Sequence, residues 1–164
     1  MTYLQYYKKE REDFSEEFKI NLDKRAIDKI VTKLIGHFKI YTHNDWRFSG
    51  GKSSHCVTYR DTMKGHFKFS KKYTSIGVIC HELAHAIEMQ KRGCSTHAKK
   101  HYRIMERLIN YCRKSKYINN LVNNNDDVMM KITSSTRKGM STMAFQMEEL
   151  IKWKNMMFFI VENM

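Results

Sequence analysis

Apolar positions recur at helical spacing in four parts of this chain, three of which lie between residues 13 and 114. The first part lies between residues 13 and 38 and predicts one or two helices that stop near Gly36. The second part follows Ser75, a candidate N-cap, and reaches Gly93, a residue type that commonly ends helices. The third part predicts a helix from about Thr96 to Lys114.

Residues 39–70 follow a different pattern, because aromatic and β-branched side chains dominate several short stretches. The segments KIYTHNDWRF, HCVTYRD and GHFKFS are separated by SGGKSS and TMKG, which contain turn-forming residues. We therefore expect three strands joined by two turns in a small antiparallel sheet.

The two ends of the chain differ from this core. Residues 1–12 are polar and are predicted to be loose, and NNLVNNNDD at 119–127 predicts a loop. A last amphipathic helix is expected at about 139–155. The predicted fold class is therefore α+β, with a compact core over residues 1–116 and a helical extension, 117–164, packed on the same domain.

Composition supports a folded domain and adds a strong positive charge. The 164 residues are 41% hydrophobic and 12% aromatic, which argues against disorder. A formal net charge of +13 favours an anionic partner such as DNA or an acidic protein, although a solubilising surface would have the same composition. The basic residues that we select as candidate nucleic-acid contacts are Lys91, Arg92, Lys99, Lys100 and Arg103.

The chain shows no sign of a membrane or secreted protein. Its start, MTYLQYYKKEREDF, lacks the apolar core of a signal peptide, and no apolar run reaches the ~20 residues of a membrane span. The four cysteines form no CxxC pair, which favours reduced thiols. These features predict a cytoplasmic protein, in the host cytoplasm if a bacteriophage encodes it.

The stretch HELAHAIEMQKRGCSTH, residues 81–97, carries the candidate chemistry. His81 and His85 lie four residues apart on a predicted helix, so that both imidazoles can reach one Zn²⁺ ion. Glu82 points toward the same side and can accept a proton from a metal-bound water without binding the metal. A surface helix with two solvated histidines is the simpler alternative.

A catalytic zinc ion needs a third protein ligand and one open position. His97 follows His85 after eleven residues and lies beyond the predicted turn at Gly93, which can bring it back over the first helix. We therefore predict His97 as the third ligand. Three other residues remain alternatives, namely His101, Glu106 and Cys94.

HELAHA, a spacer and a histidine near the start of the next helix resemble the SprT-like (Spartan-related) zinc metallopeptidases, a zincin family. His97 falls at the family's third histidine and Met105 at its later methionine. GHFKFSKKYTSIGVICHELAHA resembles the family's strand, link and helix, and WRFSGGKSSHCVTY resembles the preceding hairpin. The likeness covers residues 20–112. The family's glycine and aromatic positions hold Ala98 and His101 here, which keeps His101 open as a ligand or transition-state stabiliser.

This resemblance implies a compact zincin-like domain that hydrolyses peptide bonds in protein substrates, with DNA-associated proteins as candidates. It assigns Zn²⁺ to His81, His85 and His97, and the catalytic role to Glu82. It also implies an extended substrate along an edge strand near residues 66–70.

A second function remains open from the sequence. A basic protein could retain this fold without proteolysis and bind nucleic acid or another protein. The presence of Glu82 favours the enzyme, because a purely structural zinc site has no use for that carboxylate.

Overall fold

A computed structural model of the chain describes residues 1–59 and 61–124. Eight elements have the following bounds: α1 Tyr3–Asp13, α2 Ser15–Lys19, α3 Lys24–Phe38, β1 Asp45–Ser49, β2 His55–Thr58, β3 Gly65–Ser70, α4 Ile76–Arg92 and α5 Lys99–Lys114. Residues 116–124 form a further helix, α6. The predicted α+β class is thereby confirmed.

The described residues all belong to one compact unit. The helix predicted at 139–155, like the rest of the predicted extension from residue 125 onward, lies outside the described residues. No helix in the described ranges is long and apolar enough to cross a bilayer.

The N-terminal residues form a helix, so the prediction that they are loose was wrong. Thr2 and Gln5 make a capping box, in which Thr2 N donates to Gln5 Oε1 at 2.6 Å and Gln5 N donates to Thr2 Oγ1 at 3.4 Å. Tertiary contacts then fix the helix to the core, because Phe14 stacks on Tyr102 and the Tyr102 hydroxyl donates to Asp13.

The sheet is mixed, whereas an antiparallel sheet was predicted. Its strand order is β1-β3-β2, with β1 parallel and β2 antiparallel to β3. Phe67 and Phe69 on β3 are fully buried, while β1 and β2 bury less of their side chains. The most apolar strand therefore takes the centre, and only β2 and β3 form the expected hairpin.

Helix α4 lies in the middle of this unit and packs against α2, α3, α5 and β2. Its apolar stripe and that of α5 supply much of the core; the fully buried residues of the two helices include Ile79, Leu83, Met105, Leu108 and Ile109. Because α4 is surrounded in this way, residues on its remaining face have fixed positions.

The helix ends agree with the sequence in part. Ser75 caps α4 by accepting from Val78 N, and Gly93 ends it with φ of 68°, as predicted. Gly36 does not stop α3, which continues to Phe38 and ends at Lys39 in the left-handed region. Helix α5 begins at Lys99 rather than near Thr96.

The described part of the predicted loop at 119–127 is helical. Asparagine is a poor helix former, but Ile118 of α6 is buried, and Leu121 and Val122 pack partly against the core. Tertiary packing therefore outweighs the local preference of the asparagines.

We predict that Gly93→Ala destabilises the protein by about 1 kcal/mol, because alanine pays a steric cost at positive φ. Its Cβ would lie 3.6 Å from Met63 Cε, an ordinary contact, so the cost is conformational. Gly36→Ala is the matched control: its Cβ would meet nothing within 4 Å inside α3, and a gain of about 0.5–1 kcal/mol is expected. Urea unfolding of both variants tests this, and equal effects would contradict it.

Candidate metal centre

Four histidines from α4, α5 and the segment between these helices meet beside a cleft. His81, His85, His97 and His101 each offer a ring nitrogen, and these four atoms all lie within 4.8 Å of one another. They are close enough to hold a metal ion. The structure thus brings the two motif histidines together with both of the histidines considered as a third ligand.

Three of these imidazoles converge through the same ring atom. His97 Nε2 lies 3.0 Å from His81 Nε2 and 3.1 Å from His85 Nε2. A tetrahedral zinc ion with Zn–N bonds of about 2.0–2.1 Å separates its nitrogen ligands by about 3.3 Å. The three nitrogen atoms would therefore need to move only slightly apart to accommodate a metal ion.

The other ring nitrogen of His81 and of His85, Nδ1, contacts an oxygen atom in each case. His81 Nδ1 donates to Glu10 Oε2 at 3.0 Å, and His85 Nδ1 contacts Ser95 Oγ at 2.6 Å. With its proton on Nδ1, each ring turns an Nε2 lone pair toward the other histidines. Lone pairs at this separation repel each other unless a cation lies between them, so the donor set suits a metal ion.

Burial favours the neutral form of His85, His97 and His101, which is the form of imidazole that binds metals. Burial, reinforced by the neighbouring His81 and His97, lowers the pKa of His85 to about 3. The pKa of His97 is also lowered, first by burial and then by His81. The pKa of His101 is lowered furthest, again chiefly by burial.

Glu88 holds the turn that returns the chain to this face of α4. It is fully buried; its Oε2 accepts from Thr96 N at 3.0 Å and from Ser95 Oγ at 3.3 Å, and its Oε1 accepts from Arg92 at 2.7 Å. Ser95 in turn accepts from His85 Nδ1. One carboxylate therefore shapes the segment before His97 and orients His85 through a hydroxyl group.

His101 occupies a different position from the other three histidines. Its ring packs against that of His85 with centroids 4.2 Å apart, but its Nε2 lies 3.4 Å from His81 Nδ1 and 3.8 Å from Glu10 Oε1. The residue is completely buried, and its Nδ1 has no hydrogen-bond partner within the described part of the chain. The geometry therefore favours His97 over His101 as the third donor.

The other two alternatives for the third ligand are not in the cluster. Cys94 is exposed, and neither it nor Glu106 belongs to the one group of potential ligands found among residues 1–59 and 61–124. Cys56 lines the same cleft, but burial raises the pKa of its thiol to about 12, with Glu82 adding to the shift. A neutral thiol is a poor metal ligand.

Glu82 lies beside the histidines and against the sheet. Its Oε2 accepts from Cys56 N on β2 at 2.6 Å. Burial raises the pKa of Glu82 to about 7, although His81 and the Cys56 amide both act to lower it. The side chain is thus held in one orientation with a pKa close to that of an effective general base at neutral pH.

The cleft in front of this group has a volume of about 1020 Å³. Its lining includes His81, Glu82, His85 and His97, and strand β2 runs along it. The predicted substrate strand at residues 66–70 is β3, which is the central strand and has neighbours on both sides. That expectation was wrong, and β2 is the edge strand at the cleft.

All five predicted nucleic-acid contacts are exposed around the turn between α4 and α5. Lys91, Lys99, Lys100 and Arg103 form no ion pair with any residue in the described ranges. Arg92 differs, because it is paired with Glu88.

No protein-family model matches this chain, and no curated protein or solved structure matches it either. The resemblance to SprT-like metallopeptidases therefore continues to depend on the motif and its surroundings.

Sequence reasoning missed Glu10, Glu88 and Ser95, all of which contact or support the histidines. A Thr-x-x-Gln capping box at residues 2–5 was available as a signal for the N-terminal helix that carries Glu10. The pair of Glu88 with Arg92 has the ordinary i,i+4 spacing of a surface ion pair on a helix, and the other partners of Glu88 lie seven and eight residues further along the chain, so no local pattern indicates its role in the turn.

Proposed function

We propose that the protein is a zinc-dependent metallopeptidase that hydrolyses peptide bonds in protein substrates. The observation that carries this proposal is the meeting of three imidazole Nε2 atoms, 3.0–3.1 Å apart in two of their pairs, beside a carboxylate that is not part of the group. Three neutral histidines are typical ligands of catalytic zinc. The large cleft and the edge strand provide room for a polypeptide.

In this proposal His81, His85 and His97 hold the ion, with Glu10 and Ser95 fixing two of the rings from behind. Bound zinc would supply Lewis-acid polarisation of the scissile carbonyl and a lowered pKa for water. Glu82 is the proton carrier: the Cys56 amide holds Oε2, and Oε1 accepts the proton of the attacking water and passes it to the leaving amine.

Strand β2 gives a physical basis for substrate binding. Among residues 1–59 and 61–124 its one strand partner is β3, so a peptide in extended conformation can add to its other side through main-chain hydrogen bonds. Such pairing provides affinity with little dependence on side chains. Broad substrate range is therefore expected.

We predict that purified wild-type protein binds about one zinc ion per chain and that His85→Ala and His97→Ala each lose it, because two imidazoles hold zinc far more weakly than three. His101→Leu should retain the metal, since His101 Nε2 approaches His81 at Nδ1 and not at the Nε2 atom that faces His97. Metal analysis after dialysis measures this, with the exposed cleft residue His55→Ala as control. If His97→Ala retained zinc and His101→Leu lost it, the third ligand would be His101 and not His97.

We further predict that Glu82→Gln keeps the fold and the zinc but lowers kcat on casein by at least ~100-fold, as loss of a general base does. Glu12→Gln, an exposed change of the same chemistry on α1, should cleave casein at the wild-type rate. If the Glu82 and Glu12 variants cleaved casein at equal rates, Glu82 would not be the general base. Absence of cleavage by a zinc-loaded wild type would favour the non-proteolytic alternative.

The exposed cations beside the turn favour nucleic acid as a second partner, either to bring DNA-associated substrates to the cleft or as the main function of a non-proteolytic protein. Lys99, Lys100 and Arg103 lie within the first five residues of α5, next to the segment that carries His97. Unpaired basic side chains so close together can contact consecutive phosphates.

We predict that changing Lys99, Lys100 and Arg103 together to alanine lowers the affinity for duplex DNA at least tenfold and reduces the slope of log K against log salt by about 2–3. A triple alanine variant of Lys8, Lys33 and Lys64 removes the same charge from other exposed positions and serves as control. Equal losses in both variants, measured by fluorescence anisotropy, would indicate attraction by net charge alone.

A further inference from the structure

The N-terminal helix places a buried carboxylate against two of the clustered histidines. Glu10 is 1% exposed, its Oε2 lies 3.0 Å from His81 Nδ1, and its Oε1 lies 3.8 Å from His101 Nε2. The two rings themselves pack edge to face, with centroids 4.8 Å apart. The acceptor oxygens of one side chain therefore face two imidazoles.

Glu10 is an unusual residue to bury at this point. No Lys or Arg pairs with it in the part of the chain that the structure describes, and its Oε1 accepts no hydrogen bond there. A carboxylate removed from water is costly unless an opposite charge compensates it. A dication on the far side of the His81 ring would supply that charge through a single imidazole.

The contact with Glu10 also determines the tautomer of His81. A carboxylate only accepts hydrogen bonds, so the proton of His81 must lie on Nδ1, and Nε2 is left as the donor atom that faces His97. Tyr7, one turn before Glu10, packs its ring edge to face against His81 with centroids 5.9 Å apart. Helix α1 thus fixes both the tautomer and the plane of the ring.

We propose that Glu10 is a positioning residue of the metal centre, so that docking of α1 is required for tight metal binding. This inference depends on the proposed metal site. The buried carboxylate orients His81 and strengthens its nitrogen as a ligand, and α1 becomes part of the site although it supplies no ligand itself. A residue in this position typically changes metal affinity by 10–100-fold.

The test compares Glu10→Gln, which keeps the size of the side chain and removes its charge, with Glu12→Gln on the exposed side of the same helix. Zinc affinity is measured by competition with a chromogenic chelator, and the visible spectrum of the Co²⁺-loaded proteins reports ligand geometry. We expect a 10–100-fold weaker affinity and an altered Co²⁺ spectrum for Glu10→Gln alone, with unchanged near-ultraviolet circular dichroism of the metal-free protein.

A second variant, Glu10→Asp, separates charge from packing. This variant retains a buried carboxylate, so its zinc affinity should lie closer to that of wild type than the affinity of Glu10→Gln does. If Glu10→Gln fails to fold, the zinc affinity of Glu10→Asp alone tests the positioning role. Equal losses in both Glu10 variants, or equal affinity in Glu10→Gln and Glu12→Gln, would overturn the positioning role while the metal site stands. Absence of metal binding by wild type would overturn both proposals.

Discussion

The buried carboxylate of Glu88 is the constraint on which the rest of the site depends. It ties together the end of α4 and the two residues that follow Cys94, through Arg92, Ser95 and Thr96. Without these bonds the polar groups of the turn would have to find other partners or face water, and the path to His97 would be unspecified. Burial of Glu88 is tolerable because three donors satisfy it.

The three buried carboxylates around the histidines have different tasks. Glu88 shapes the turn, Glu82 is held by a strand amide, and Glu10 faces two imidazoles from α1. Only Glu88 has a cationic side chain as partner among the described residues. Glu10 and Glu82 lie beside the histidine cluster instead, and carboxyl groups in such positions are favourable when the cluster itself holds a cation.

The sequence predicted those parts of the molecule that local chemistry determines. Helix α4 has a side-chain cap at Ser75, an apolar stripe and a glycine at its end, so its bounds and its histidine pair followed directly. The order of the strands did not follow, because it depends on which strand is buried on both faces by elements distant in sequence. Glu10 was missed for the same reason, since its contact with His81 spans 71 residues.

The number of imidazoles that bind the ion would decide whether a metal site made from these four histidines keeps an open position. If all four imidazoles bound one ion, its coordination would be closed and no position would remain for substrate. His101 Nε2, however, lies 3.4 Å from His81 Nδ1, whereas His97 Nε2 lies 3.0 Å from His81 Nε2. The lining of the cleft includes His81, His85 and His97 together with Glu82 and residues of β2, but not His101. A fourth coordination position would therefore open toward the groups that the proposed reaction requires.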